Sequence, residues 1–327
     1  MRQSPFVPLA ILLASTLGAA PDNYDPLKTE FEVGAIETFD TNFTYGRNSR
    51  EVPVLFYLPE TTKPTPVIVF SHGLGGSRKG SAYLGKHWAA RGYIAAFIQH
   101  PGSDASVIED LPPMKRLSAL KKAASIRSTL NRVRDVPALL DQLEKWNQSE
   151  THELKKRLEM ANVGMSGHSF GAVTTQAISG QSNRRGSQSF QERRIKAALP
   201  MSPSVPQNAS PESAFGKVNI PWLLMTGTKD GSPIRKMEPS ERLDVYPALP
   251  RGQKYELVLW NAEHSAFTER RLPGDRVKRN PNHHKAILAI STAFWDSNLK
   301  GDRKAKAWLD GDGAKSVLET KDRWQSE

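Results

Sequence analysis

Gly167-His168-Ser169-Phe170-Gly171 lies between the apolar run 161–165 and the segment 172–179, which is compatible with a helix. A serine with glycine two residues to either side, in that setting, marks a sharp strand-to-helix turn. Strand and helix backbones come too close there for side chains at the flanks, and the serine hydroxyl projects out of the sheet. The pentapeptide alone says little, because it arises by chance in long chains. Its place between a strand and a helix constrains what the rest of the chain must supply.

The remaining segments fit that constraint. Residues 67–70 (Val-Ile-Val-Phe) form a short continuous apolar run, as expected of a strand buried on both faces of a parallel sheet. The pattern then predicts a helix over 81–91 ended by Gly92, a strand over 93–99, a helix over 126–146 and the strand 161–165. Strands over 195–201, 221–226 and 255–260 follow, with a closing helix over 284–298. An antiparallel hairpin of 31–40 and 51–58, across the turn-rich 45–50, precedes them. Strands alternating with helices predict an α/β fold: a mainly parallel, doubly wound sheet with helices on both faces. Such sheets carry ligand chemistry beyond the carboxyl ends of their strands.

No repeat or linker divides the 327 residues, so a single domain is expected over 21–300. Residues 103–125 stand outside the rhythm, polar and basic with Pro112-Pro113, as either a cap over the site or a surface excursion. Residues 301–327 read as a charged C-terminal tail with Trp308, Leu309 and Trp324 as anchors. At the other end Arg2, the apolar stretch 6–17 and Gly18-Ala19-Ala20 have the order of a secretory signal peptide over 1–20, cut near Ala20. The expected location is therefore secreted or periplasmic. No other segment has the roughly 18 apolar residues of a membrane span, so no transmembrane segment is expected.

There is no cysteine, which excludes disulfides, a thiolate nucleophile and cysteine-ligated metals. Net charge is +11; without Arg2 it is 44 − 34, or +10. The cations are spread over helix faces and loops, with no aromatic-interleaved basic motif, so no nucleic-acid partner is expected. Oligomeric state leaves no trace in the sequence.

A serine becomes nucleophilic beside a base, and the base needs an orienting partner. The strand 221–226 runs into Gly227-Thr228-Lys229-Asp230-Gly231, and the strand 255–260 into Asn261-Ala262-Glu263-His264. Ser169, Asp230 and His264 thus have the residue types, chain order and strand-end positions of a nucleophile, acid and base. Asp230 beside Gly231 also suits a plain turn. Glu263 is a rival acid, but its adjacency to His264 makes it a poor orienter of that ring. Of the other histidines, His72 and His168 flank glycines of the site, and His100 ends a strand where it can line a pocket. His87 and His152 look helical, and His283-His284 precede the last helix.

Ser71-His72-Gly73-Leu74-Gly75-Gly76 directly follows the strand 67–70. Acyl transfer develops negative charge on a carbonyl oxygen, which preorganised backbone N–H groups stabilise. The expected donors are Leu74 and Phe170. The loop has neither a Walker ending nor a complete G-x-G-x-x-G, and no H-E-x-x-H occurs, so no nucleotide, metal or other cofactor is expected. His100, Trp260 and Phe267, with Trp88 and Phe170, are candidate substrate-pocket residues; for the aromatic ones a core position is an equal reading.

Residues 69–78 (V-F-S-H-G-L-G-G-S-R), the later G-H-S-F-G and the Asp230/His264 order together resemble the platelet-activating-factor acetylhydrolase group. That group lies in the α/β-hydrolase superfamily, close to dienelactone-hydrolase-like proteins, and the similarity covers roughly 52–298. The resemblance implies an α/β-hydrolase fold and a metal-independent serine esterase acting on short or oxidised acyl chains. It implies Ser169 as nucleophile, Asp230 as acid, His264 as base, and Leu74 and Phe170 as oxyanion donors. Dienelactone hydrolases use a cysteine nucleophile, which this chain lacks. Cutinases and polyester hydrolases share the G-H-S-x-G elbow but usually place an aromatic residue where this chain has Leu74. The expectation is hydrolysis of short- to medium-chain carboxylic esters, small-molecule, lipid or polymer, through an acyl-enzyme. A polyester hydrolase, an amidase or peptidase on the same residues, and a non-catalytic binding protein on this fold are the alternatives.

Overall fold

Val67, Ile68, Val69 and Phe70 sit in a strand, β3 (Thr65–Ser71), that is buried at every position. The computed structural model describes residues 24–327 except positions 184, 208, 233 and 273; the signal-peptide expectation lies outside the described residues. β3 pairs parallel with β4 (Ile94–Ile98) on one side and β5 (Leu158–His168) on the other. β6 (Ile195–Met201), β7 (Trp222–Lys229) and β8 (Lys254–Glu263) continue the parallel run. A hairpin of β1 (Glu37–Tyr45) and β2 (Arg50–Leu58) joins antiparallel through β2 on β4. At the far edge β9 (Arg323–Ser326) runs antiparallel to β8. The order is β1-β2-β4-β3-β5-β6-β7-β8-β9, with β5 in the centre. After β3 the chain first adds a strand to one side and then to the other. The carboxyl ends of β3 and β5 therefore flank a topological switch point, where doubly wound sheets open a crevice.

Helices cover both faces. Alternate side chains of a strand point to opposite faces, and β3 divides accordingly. Ile68 and Phe70 pack with Trp88 of α1 (Ala82–Ala90) and with Ile290, Phe294 and Trp295 of α7 (Pro281–Leu299). Val67 and Val69 pack with Val133, Val136, Leu139 and Leu140 of α3 (Ile126–Gln148) and with Ile178 of α4 (Phe170–Ile178). The expected mainly parallel, doubly wound α/β architecture is the one observed. α2 (Pro113–Ala123), α5 (Pro211–Phe215), α6 (Val245–Ala248) and α8 (Arg303–Asp310) complete the helices. Among the described residues no helix is long and apolar enough to cross a membrane.

One segment departs from the sequence reading and two others gain structure that it did not assign. The first hairpin strand lies at 37–45 rather than 31–40, because its register is set by Phe39 opposite Phe56 and Phe43 opposite Val52. Residues 301–327 build α8 and the edge strand β9: Asp302 caps α8 through Lys304 N and Ala305 N, Leu309 is buried, and Trp324 stacks on Tyr255 at 5.7 Å. Residues 103–125 contain α2, which has no buried residue. This excursion is tied to the glycine loop by the Gly76–Asp104 bridge.

Candidate active site

β5 ends at His168 and α4 begins at Phe170, so the chain must reverse at Ser169. It does so at φ 58°, ψ −113°, a strained setting for a residue with a Cβ. Ser169 N–H donates to Met201 O at 2.9 Å, which helps hold the turn. The flanking glycines are required by close approach. A Cβ on Gly171 would lie 1.8 Å from Ser71 O, and one on Gly167 2.4 Å from Gly171 O. Ser169, partly exposed, is left above the central strand.

Asp230 follows β7 and His264 follows β8, and both reach Ser169. His264 Nε2 is 2.8 Å from Ser169 Oγ, and His264 Nδ1 is 2.6 Å from Asp230 Oδ1. An ionised carboxylate only accepts, so Nδ1 carries the proton and Nε2 presents its lone pair to the serine hydroxyl. Asp230 is fully buried, yet Arg242 stands 3.1 Å from its Oδ1, and Thr226 Oγ1 donates to its Oδ2 at 2.9 Å. Burial alone would raise its pKa; the Arg242 charge and His264 outweigh that and hold it below the usual value. Glu263 takes the backbone N–H groups of Arg276 and Val277, so its carboxylate is engaged away from the imidazole.

The loop after β3 lies against the elbow: a Cβ on Gly73 would be 3.4 Å from Ser169 Cβ. Gly75 N–H donates to Ser103 O and Gly76 N–H to Gly73 O. The N–H groups of Leu74 and Phe170 have no hydrogen-bond acceptor among the described residues. Two free donors beside a serine hydroxyl can receive a developing oxyanion.

The pocket expectations need correction. His100 and Phe267 have no exposed surface to offer a ligand. His100 is used by its neighbours, and Phe267 packs on the His168 ring at 5.6 Å, which in turn lies 4.6 Å from His264. Trp260 is exposed at the C-terminal edge, with Lys321 over its ring and its backbone held by Asp322 and His283. Trp88 is core, its indole N–H donating to Ser291.

Sequence reasoning missed a second serine–histidine–aspartate chain. Ser71 Oγ is 2.9 Å from His100 Nε2, and His100 Nδ1 is 2.8 Å from Asp135 Oδ2; all three are buried. Arg50 and Tyr45 also bond Asp135. Burial, and then the charge of Arg132, push the His100 pKa down to about 4, so this imidazole is neutral. Arg132 and Asp135 were detectable as charges interrupting the apolar stripe Val133, Val136, Leu139, Leu140, Leu143 of α3. Arg242, in a short 3-10 helix, left no such trace.

The doubly wound sheet, with a strained serine above the central strand and Asp230 and His264 at later strand ends, has the layout of the α/β-hydrolase fold. Comparison with known proteins narrows the likeness. The family model for platelet-activating factor acetylhydrolase, isoform II, matches residues 41–112, which carry most of β1, all of β2–β4 and the glycine loop but none of Ser169, Asp230 and His264. A platelet-activating factor acetylhydrolase of Cavia porcellus is 25% identical over 44% of this chain and 40% of its own length. The chain thus spans about two fifths of the length of that relative.

Proposed function

We propose that the protein is a serine hydrolase of carboxylic esters with short to medium acyl chains. The observation that carries this reading is the continuous path Asp230–His264–Ser169, 2.6 and 2.8 Å long, beside two unused backbone N–H groups. His264 Nε2 takes the proton of Ser169 as Oγ attacks the ester carbonyl, and Asp230 stabilises the imidazolium. Leu74 and Phe170 N–H hold the oxyanion. Collapse of the tetrahedral intermediate expels the alcohol, which takes the proton from His264. Water, deprotonated by His264, then attacks the acyl-enzyme and frees the acid and Ser169. The short acyl group has its support in the name of the relative, an acetylhydrolase. Export belongs to the same reading, supported by the charged–apolar–small order of residues 2–20; N-terminal sequencing of exported protein tests it.

The test is hydrolysis of p-nitrophenyl acetate, butyrate and octanoate beside Ser169→Ala. A folded variant is expected to lose roughly a thousandfold or more in kcat. Equal, feeble rates for both proteins would reject the reading and favour a binding role.

A further inference from the structure

We infer that Arg132, acting through His72 and the peptide that joins Gly73 to Leu74, is the positioning residue of the oxyanion site. The inference rests on the reading in which Ser169 attacks an ester and Leu74 and Phe170 N–H receive the oxyanion. A peptide unit is planar and trans, so its C=O and N–H point in opposite directions. Whatever pins the Gly73 carbonyl therefore aims the Leu74 N–H.

That carbonyl is held from several sides. His72 Nδ1 lies 2.7 Å from Gly73 O, Gly76 N–H donates to it at 3.0 Å, and Arg132 Nη2 is 3.5 Å away. The proton positions follow from the neighbours. His100 N–H donates to His72 Nε2 at 3.1 Å, so the single proton of this neutral ring sits on Nδ1 and is given to Gly73 O. Burial, then the Arg132 charge, hold the His72 pKa well below its ordinary value and keep the ring neutral.

Arg132 braces the same loop from below. Its Nη1 donates to His72 O at 2.7 Å, its Nε to Ser103 Oγ at 2.8 Å, and its Nη2 to Ser103 O at 3.3 Å. Ser103 O is also the acceptor for Gly75 N–H. The guanidinium lies 4.4 Å from the centre of the Phe170 ring, so one side chain contacts the residues on both sides of the oxyanion site.

The Arg132 charge serves the same site. Arg132 is fully buried and makes no ion pair with a carboxylate among the described residues; of the two carboxylates whose charges act on it, Asp135 is bonded by Arg50, Tyr45 and His100, and Asp104 by Gln99 and Ser106. An unpaired buried cation is costly. The cost is offset where negative charge develops nearby, as it does on the oxyanion. The nearby second chain, Ser71–His100–Asp135, extends the brace. Ser71 O–H donates to the neutral His100 Nε2 and its oxygen faces Arg132 Nη1 at 3.4 Å.

The experiment compares wild type with Arg132→Met, Arg132→Lys, His72→Leu and His72→Asn, the last keeping an N–H near Nδ1. The readouts are kcat and KM for p-nitrophenyl butyrate, and affinity for a trifluoromethyl ketone, which adds to the serine as an oxyanion. The matching methyl ketone, which stays a carbonyl, is the control. Arg132→Met is expected to lower kcat and trifluoromethyl-ketone affinity together, by roughly a hundredfold, with KM and methyl-ketone affinity within threefold. Arg132→Lys should fall between, and His72→Asn should recover most of what His72→Leu loses. A folded Arg132→Met with kcat and trifluoromethyl-ketone affinity within twofold of wild type would overturn the inference, as would equal losses for the two ketones. If Arg132→Met does not fold, Arg132→Lys and the His72 pair decide: unchanged Lys kinetics with equal Asn and Leu rates overturn it. Fluorophosphonate labelling of wild type, absent in Ser169→Ala, separates the two levels. A wild type that neither labels nor hydrolyses overturns the reading beneath, and a labelled wild type beside an unaffected Arg132→Met overturns the inference alone.

Discussion

Two serine–histidine–aspartate chains of nearly equal dimensions lie in this protein, and solvent access separates them. Ser71 and His100 are sealed, with the serine oxygen facing Arg132, whereas Ser169 is partly exposed and the His264 side chain is 15% exposed. Of the two serines, Ser169 is the one with surface that an approaching substrate can reach. Each chain has an arginine close to its aspartate, Arg50 at Asp135 and Arg242 at Asp230. Arg242 also donates to Ser202 O and Pro203 O and is itself buried. Arg242→Met breaks a buried pair and is expected to cost about 3 kcal/mol of stability. It also removes the charge that holds the Asp230 pKa down. The carboxylate then protonates at higher pH, so the destabilisation is greatest where Asp230 is ionised and shrinks as pH falls. Melting curves of variant and wild type at several pH values measure both effects; a loss equal at every pH would contradict this account of Arg242.

The helix α3 shows how one element serves packing and the site together. Val133, Val136, Leu139 and Leu140 cover the sheet, while Arg132 and Asp135, near its N-terminal end, reach the loops beyond β3 and β4. At the far edge β9 covers β8 and buries Glu256, whose Oε2 accepts from Gln325 at 2.6 Å. Burial raises the Glu256 pKa from 4.5 to about 7, with Gln325 and Arg323 opposing. The folded state therefore holds this proton more tightly than the unfolded chain does. Its stability falls as pH rises from about 4.5 through about 7. Glu256→Gln mimics the protonated form. It should stabilise by about 2 kcal/mol at pH 8 and by almost nothing at pH 4.5. Thermal melts at the two pH values provide the check, and an equal gain at both would mean that packing rather than ionisation is responsible.

Across the molecule, buried histidines dominate the response to acid. Burial lowers the pKa values of His87 and His100 from 6.5 to about 4 and puts those of His72 and His168 well below 6.5. The unfolded chain takes up these protons near 6.5 and the folded chain does not. Stability is therefore full above that pH and lost as pH falls toward 4, at about 1.4 kcal/mol per unit for each histidine. Since folded domains have only about 5–15 kcal/mol in all, the protein is expected to unfold in acid before pH 4. Melting temperatures measured from pH 7 to 4.5 should fall steeply, and a flat profile would show that these histidines protonate in place. Glu256 runs the other way and offsets a part of the loss. The same contrast between local and distant partners governs what could be read in the chain. The strand and helix alternation was legible because 2.0 and 3.6 residue periods are local, and the elbow because Gly167 and Gly171 answer a clash within the same turn. Ser169, Asp230 and His264 were legible because strand ends present side chains at one edge of a parallel sheet, whatever the loops between. Arg132, Asp135 and Arg242 acquire a role only through partners 12–85 residues away. His100 and Phe267 needed the folded environment to show that they point inward, and β9 needed the open edge of β8 to become a strand. Local spacing selects elements and motifs, whereas burial and long-range hydrogen bonding, set when the elements pack, assign each side chain its environment.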